Sequence, residues 1–414
     1  MEERQQNSAA PPSLKPDSKH FPAADVPNNV ASQNGPVGAS SASAPPSPEA
    51  VKVASQELAT ALIAAATDNV AISAGLTPAD AANTVKALDH QRIADLIEQI
   101  KESADKLAAD QPSRGDLKIL SRTMRELRYA FKVFSPYRSR RKVTVFGSAR
   151  TRPDKASYQQ AVKFGRAMAE TGWLVVTGAA SGIMEAGHVG AGRENSMGLN
   201  IMLPFEQSSN PIIAGDPKLV HMKYFFTRKL MFVKECDAVA LFPGGFGTLD
   251  EGLEVLTLLQ TGKRDMVPVL FIDEPGGKFW QPLLEFFQNR LLANGMVSPE
   301  DSSLYTWTDS VDAAVHEIQQ FFRVFHSMRY VKNKLVFRLQ TPISEELLAD
   351  INDNFRDILT DGQFTVDTAQ REERDEPALI ALPRLVFQFN RRSLGRLRQL
   401  IDAINRGNIN RSAV

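Results

Sequence analysis

The chain has 414 residues, 43% of them hydrophobic, with 48 Lys and Arg against 48 Asp and Glu. A zero formal charge argues against a dedicated nucleic-acid or polyanion binder, and the length predicts two or three domains with a real core. One cysteine, Cys236, excludes an intrachain disulfide framework, and no apolar run is long enough to span a bilayer.

Residues 1–50 are rich in Pro, Ser, Ala and Asn and cannot bury enough surface to offset their ordering entropy, so a disordered tail is expected. The N-terminus shows no signal-peptide core, and a cytoplasmic location is expected. Residues 51–137 read as helical. Thr77-Pro78 resembles an N-cap with proline at the first helical position, and Val85, Leu88, Ile93, Leu96, Ile97 and Ile100 recur at helical spacing. A stronger helix begins near Asp116, with Leu117, Leu120, Met124, Leu127, Phe131 and Phe134 on one face. Lys118, Arg122, Arg125 and Arg128 lie on the other, read as a solvated face. The cluster Arg138-Ser139-Arg140-Arg141-Lys142 reads as a charged linker into the first buried strand.

From 138 to 325 apolar strands alternate with helices, which predicts a doubly wound parallel sheet of Rossmann-like type. Val143–Phe146 leads into Gly147-Ser148, and Trp173–Thr177 leads into Gly178-Ala179-Ala180-Ser181-Gly182-Ile183-Met184. Ala179 and Ala180 predict a backbone there that avoids positive φ. The strand Ala238–Phe242 leads into Pro243-Gly244-Gly245-Phe246-Gly247-Thr248-Leu249-Asp250-Glu251, and a helix follows. Glycines at a strand-to-helix turn let a ligand approach the backbone, the new helix's N–H groups favour an anion, and Thr248 adds a hydroxyl. Glu251 is out of place beside a phosphate and is expected to face another part of the ligand. The small-residue loops all fall at the carboxyl ends of strands, where such sheets bind ligands.

Residues 330–406 change rhythm. Leu335–Leu339, Phe364–Val366 and Leu385–Phe389 read as strands, and Ser344–Leu359 and Leu394–Ile404 as helices. The order β-α-β-β-α suggests a small α+β domain of ferredoxin-like type. Arg371–Glu376 reads as an exposed loop between its strands.

Phe225-Phe226-Thr227-Arg228-Lys229-Leu230-Met231-Phe232 and Pro243–Glu251 resemble the paired motifs MxxRKxxM and PGGxGTxxE of the LOG family, with Phe225 and Phe232 in place of the methionines. The resemblance covers Val143 to Phe322. Ala179 and Ala180 depart from the family's GGGxxGxM, while Gly182 and Met184 keep their places. The resemblance implies a phosphoribohydrolase that releases the base of a nucleoside 5′-monophosphate, AMP or a cytokinin riboside monophosphate, and a homo-oligomer of at least two subunits. Cleaving that bond builds positive charge on the ribose ring, which a carboxylate stabilises while it activates water. Glu251 and Arg228 are the expected catalytic pair, unless they merely form a salt bridge. Lys229, Gly244, Gly245, Gly247, Thr248, Asp250, Gly147, Ser148, Gly182 and Met184 are the expected substrate-binding positions.

The six histidines show no metal-ligand spacing, His188 and His221 read as packing or solvent-facing residues, and Cys236 as a buried small residue. No metal and no cofactor are expected, and no lysine sits in a recognisable pyridoxal-phosphate setting. The alternatives are a non-catalytic carrier or sensor of a nucleotide-like ligand or molybdenum cofactor, and an assembly protein acting through its ends. Neither a nucleic-acid nor a membrane partner is expected.

Overall fold

The computed structural model describes residues 93–202, 208–373 and 376–407. The expected tail, the Thr77 cap and the helical pattern before Ile93 lie outside the described residues. Two sheets organise the described chain. The larger has seven parallel strands: β1 (Lys142–Phe146), β2 (Leu174–Thr177), β3 (Ser196–Ile201), β4 (Leu219–Met222), β5 (Ala238–Leu241), β6 (Val269–Ile272) and β7 (Thr306–Thr308). They lie in the order β4-β3-β2-β1-β5-β6-β7, so the sheet reverses direction between β1 and β5.

Every other residue of a strand faces the same way, and the packing follows that period. Val143, Val145, Val175, Ala238, Ala240, Leu270 and Ile272 pack with the buried side chains of α2 (Ala156–Glu170), α3 (Ile183–Ala191) and α7 (Val311–Phe321). Phe146, Leu174, Val176, Val239, Leu241, Val269 and Phe271 pack with those of α1 (Arg114–Phe134), α4 (Phe225–Glu235) and α5 (Phe246–Gln260). The sheet is therefore covered on both faces, as the doubly wound reading requires. Between β6 and β7 the short α6 (Gln281–Phe286) runs on as a π-helical turn, Phe287–Leu292. Glycines set the α2–α3 contact. A Cβ on Gly190 would lie 2.0 Å from the Val162 carbonyl oxygen, and one on Gly165 would lie 2.3 Å from that of Gly187.

α1 departs from expectation on its apolar face. Ser113 caps the helix and Phe134 is buried, but Leu117, Leu120, Met124 and Phe131 remain exposed. Beside Phe134, α1 buries Ala130 and the charged Glu126. The preceding helical stretch, 93–106, likewise exposes Ile93, Leu96, Ile97 and Ile100.

The second sheet is antiparallel, in the order β10-β11-β9-β8. Its strands are β8 (Phe325–Val331), β9 (Lys334–Leu339), β10 (Leu359–Asp367) and β11 (Arg384–Phe389), with α8 (Glu345–Asn354) and α9 (Leu394–Gly407). The element order is ββαββα, not the ferredoxin-like βαββαβ. The strand missed in the sequence is β8. His326, Ser327 and Arg329 interrupt its apolar alternation, and its pairing with β9 shifts register between Phe325 and Ser327.

Leu335, Phe337, Leu339, Leu385, Phe387 and Phe389 belong to the same apolar cluster as β5 and α5. A run of ring contacts, Phe321–Phe325–Phe337–Phe387–Phe364, joins the two sheets at centroid distances of 5.5, 5.1, 5.2 and 4.6 Å. Asn405 of α9 accepts from the Val324 and Phe325 N–H groups and donates to the Phe321 carbonyl. Arg398 pairs with Glu317 of α7 at 2.6 Å. A chain ending before Leu335 is therefore expected to expose Phe321 and Phe325 and to lose solubility. Soluble expression with an unchanged melting temperature would refute this.

Arg371–Glu376 corrects the sequence reading of an exposed loop. Glu373 is fully buried and meets Arg338 at 2.8 Å and Arg384 at 3.1 Å. Those arginines stand directly opposite each other on β9 and β11, on the face away from Phe337 and Phe387. Like charges so placed repel, and Glu373 is the group that joins them.

Candidate active site

Three strand-to-helix loops meet at the sheet's reversal point, and main-chain bonds hold them together. The Ser148 N–H donates to the Pro243 carbonyl at 3.0 Å, and the Ile183 N–H donates to the Ser148 carbonyl at 3.0 Å. Gly182 makes the second approach possible: its φ is 67°, and a Cβ there would lie 2.3 Å from the Ser148 carbonyl oxygen. Gly244 is equally confined, since a Cβ would lie 2.2 Å from Thr248 Oγ1 and 3.0 Å from the Ser148 nitrogen.

These loops enclose a cavity of about 580 Å³ lined by residues that include Gly147, Ser148, Met184, Arg228, Gly245, Gly247 and Thr248. Seven of the twelve expected site residues thus share one wall. Gly244 and Gly182 shape the loops behind it. The first turn of α5 faces the cavity; the Thr248 and Leu249 N–H groups donate to the Gly245 carbonyl, which leaves those of Phe246 and Gly247 to favour an anion. Arg150 and Phe246 also line the cavity and were not singled out from the sequence. Phe246 is 92% exposed although it lies between loop glycines. Only its place, inside the glycine turn, could have signalled a ligand contact.

Arg228 and Glu251 form no ion pair within 4 Å among the described residues, so the salt-bridge alternative is not what this structure contains. Each keeps a buried polar atom without a hydrogen-bond partner: Nε of Arg228 and Oε2 of Glu251. Glu251 is 4% exposed, and burial pushes its carboxyl up to about 7 despite the nearby Lys229 and Arg228 charges. Burial likewise lowers the Arg228 guanidinium, which the Glu251 charge offsets. The guanidinium lies over the rings of Phe225 and Phe232, at 5.7 and 5.3 Å. The two phenylalanines in the family's methionine positions therefore give Arg228 a cation–π setting. Unpaired buried polar groups are costly, and a pair of opposite sign beside a cavity suits a polar ligand.

Lys229 and Asp250 stand apart from the cavity lining and meet each other at 2.8 Å; Lys229 also meets Glu254 at 3.3 Å. A lysine so compensated holds the α4–α5 packing together.

Glu126 is the group the sequence reading missed. Its carboxylate accepts from the Lys223 N–H at 2.9 Å, from Thr227 Oγ1 at 2.8 Å and from Arg122 Nε at 2.7 Å. Burial would raise this carboxyl, but those three donors hold it below the ordinary range. It fastens the start of α4, and hence Arg228, to α1.

Ala179 reverses an expectation. Its φ is 59°, in the left-handed region that its side chain disfavours. Asn210 holds it there: its N–H donates to the Ala179 carbonyl at 2.8 Å, and its side-chain amide donates to the Ala180 carbonyl at 3.1 Å. The Ala179 N–H donates to Thr177 Oγ1. Behind Asn210 the fully buried His188 is pushed down to about 4 by burial and is neutral. The network assigns its proton to Nε2, which donates to the Met197 carbonyl, and leaves Nδ1 to accept from Asn210. His188 is thus a packing histidine, and the loop keeps the left-handed turn without the glycine.

The fold and site define a doubly wound α/β protein with an anion-facing helix start and a buried carboxylate at its ligand edge. A family model described as "Possible lysine decarboxylase" matches residues 177–318. A curated relative in Oryza sativa subsp. japonica, "Cytokinin riboside 5'-monophosphate phosphoribohydrolase LOG", is 36% identical over 35% of this chain and 60% of its own. The chain therefore spans less than two thirds of that relative's length. A relative in Arabidopsis thaliana, "Cytokinin riboside 5'-monophosphate phosphoribohydrolase LOG3", is 28% identical over 44% of this chain and 83% of its own. A solved molybdenum cofactor binding protein from Rippkaea orientalis is 19% identical, with a TM-score of 0.31, over 44% of this chain and 96% of its own. That superposition bears on no ligand. Over this stretch the chain is similar to the LOG family.

Proposed function

We propose that the chain hydrolyses the N-glycosidic bond of a nucleoside 5′-monophosphate, AMP or a cytokinin riboside monophosphate, to free base and ribose 5-phosphate. The observation that carries this reading is the buried, unpartnered Glu251 Oε2 near Arg228, on the helix whose first turn faces the cavity. The 5′-phosphate takes the α5 N-terminus, with Thr248 Oγ1 as a further donor and Arg228 as counter-charge. Glu251 faces the ribose. As the bond from C1′ to the base nitrogen breaks, the ring gains oxocarbenium character, which the carboxylate stabilises. A water oxygen bonds to C1′, Glu251 takes the water's proton, and the bonding pair leaves on the base nitrogen, which is protonated from solvent. No cofactor or metal is needed for these steps. The expected division into a Rossmann-like domain, 138–325, and a small domain, 330–406, belongs to this reading, as does a cytoplasmic setting. Among the described residues no helix is long and apolar enough to cross a membrane.

The test is a panel of nucleosides and their 5′-mono-, di- and triphosphates, assayed for released base. Base is expected from 5′-monophosphates alone. Recovery of intact, bound nucleotide with no base from any of them would overturn the reading in favour of a carrier.

The reading includes a homo-oligomer of at least two subunits. Phe225, Phe226 and Leu230 of α4 and Leu253 of α5 are exposed near the site and suit a second copy of the chain. Light scattering at micromolar concentration is expected to give at least twice the 45.6 kDa chain mass. A single monomeric species would exclude it.

A further inference from the structure

α1 carries Arg114, Lys118, Arg122 and Arg125 at intervals of four, four and three residues, which places all four on one stripe. The eleven steps from first to last rise about 16 Å along the helix. Lys223 and Tyr224, at the turn into α4, close the opposite side, and the walls enclose a cavity of about 410 Å³. Five cations thus line one groove of a chain whose formal net charge is zero.

Their charge is poorly compensated. Among the described residues only Arg122 meets a carboxylate, that of Glu126. Arg125 Nε donates to the Ser121 carbonyl, a neutral partner. Among the described residues Arg114, Lys118 and Lys223 meet no acid, and the Glu126 oxygens are already occupied by three donors.

We propose that this groove binds an elongated anion bearing two or more phosphate groups, at a site separate from the cavity lined by Arg228 and Thr248. A single phosphate carries too little charge for five cations and is too compact for a stripe of about 16 Å. A short phosphate chain matches both the charge and the length. The α1 wall lies outside residues 177–318, the stretch matched by the family model.

The test uses the full chain with ribose 5-phosphate in excess, to occupy the cavity lined by Arg228 and Thr248, and inorganic triphosphate as calorimetric probe. Lys118→Glu with Arg125→Glu reverses two exposed charges that do not touch Glu126, so the start of α4 keeps its fastening. Wild type is expected to bind triphosphate at one site, and the double variant at least about tenfold more weakly. Its melting temperature and its binding of ribose 5-phosphate should be unchanged. Lys118→Gln with Arg125→Gln should fall between the two, which serves if the charge reversal unfolds the chain. No binding heat in wild type, or undiminished binding in both double variants, would overturn the proposal. So would a single-stranded RNA oligomer that binds the groove and that triphosphate fails to displace.

Discussion

Replacing Glu251 by Gln is expected to slow base release by about 100-fold or more while leaving nucleotide binding near that of wild type, because the swap removes the charge and keeps the shape. The same variant should be more stable at alkaline pH. Burial raises the folded carboxyl to about 7 from an ordinary 4.5, so the folded chain holds this proton more tightly than the unfolded one. The stability that Glu251 contributes in its protonated form is complete below pH 4.5. It is lost as pH rises to about 7, where wild type must ionise a buried acid. Glutamine has nothing to ionise. At pH 8 the variant should exceed wild type by about 2–3 kcal/mol, and the advantage should vanish near pH 4. Wild-type turnover should rise through the same interval as the base form is populated. Chemical denaturation at both pH values, beside a base-release assay, measures all three. Undiminished turnover in the variant would remove Glu251 from the chemistry, and an equal stability gain at both pH values would remove its raised carboxyl.

Glu373→Ala is expected to cost about 3–5 kcal/mol, the scale for stranding a buried charge. Here Arg384 is stranded with carbonyl partners alone, while Arg338 keeps Glu376. Arg384 is fully buried and Arg338 nearly so, and they oppose each other across β9 and β11. Burial would raise the Glu373 carboxyl, but the Gln370 N–H and both arginines hold it below its ordinary range. Its contribution is therefore present at neutral pH and lost on acidification through the lowered folded value. Arg384→Met with Glu373→Gln should recover part of the loss, because those two buried charges then leave together and Arg338 still has Glu376. Unfolding curves for Glu373→Ala that overlay wild type would dismiss the account.

The parallel sheet was legible because its strands are short apolar runs ending in small residues, and burial on both faces leaves little else for such runs to be. The cavity was legible for the same reason: Gly147, Ser148, Gly245, Gly247 and Thr248 sit where sheet topology puts ligands. The paired acid and cation were legible only through their motifs, since neither spacing nor composition brings Arg228 near Glu251. Contacts distant in sequence were not legible. Glu373 lies in a run of charges that reads as solvated, and nothing local says that two arginines will bury it. Glu126 looked like one more polar residue on a basic helix. Ala179 was misread because its strain is paid by Asn210, thirty-one residues further on. β8 was missed because an irregular register erased its alternation.

The loops around the cavity are tied by main-chain atoms: the nitrogen and carbonyl of Ser148, the carbonyl of Pro243 and the nitrogen of Ile183. Every residue type supplies such a carbonyl, and every type except proline such an N–H. The scaffold is therefore nearly blind to which side chains it displays, with Gly182 and Gly244 as its fixed points. Such a platform can exchange residues on its rim, as the alanines of one loop and the phenylalanines of α4 illustrate, without surrendering its shape. Single substitutions at rim positions such as Phe246 and Arg150 can then change what the cavity accepts, while the loops that frame it stay in place.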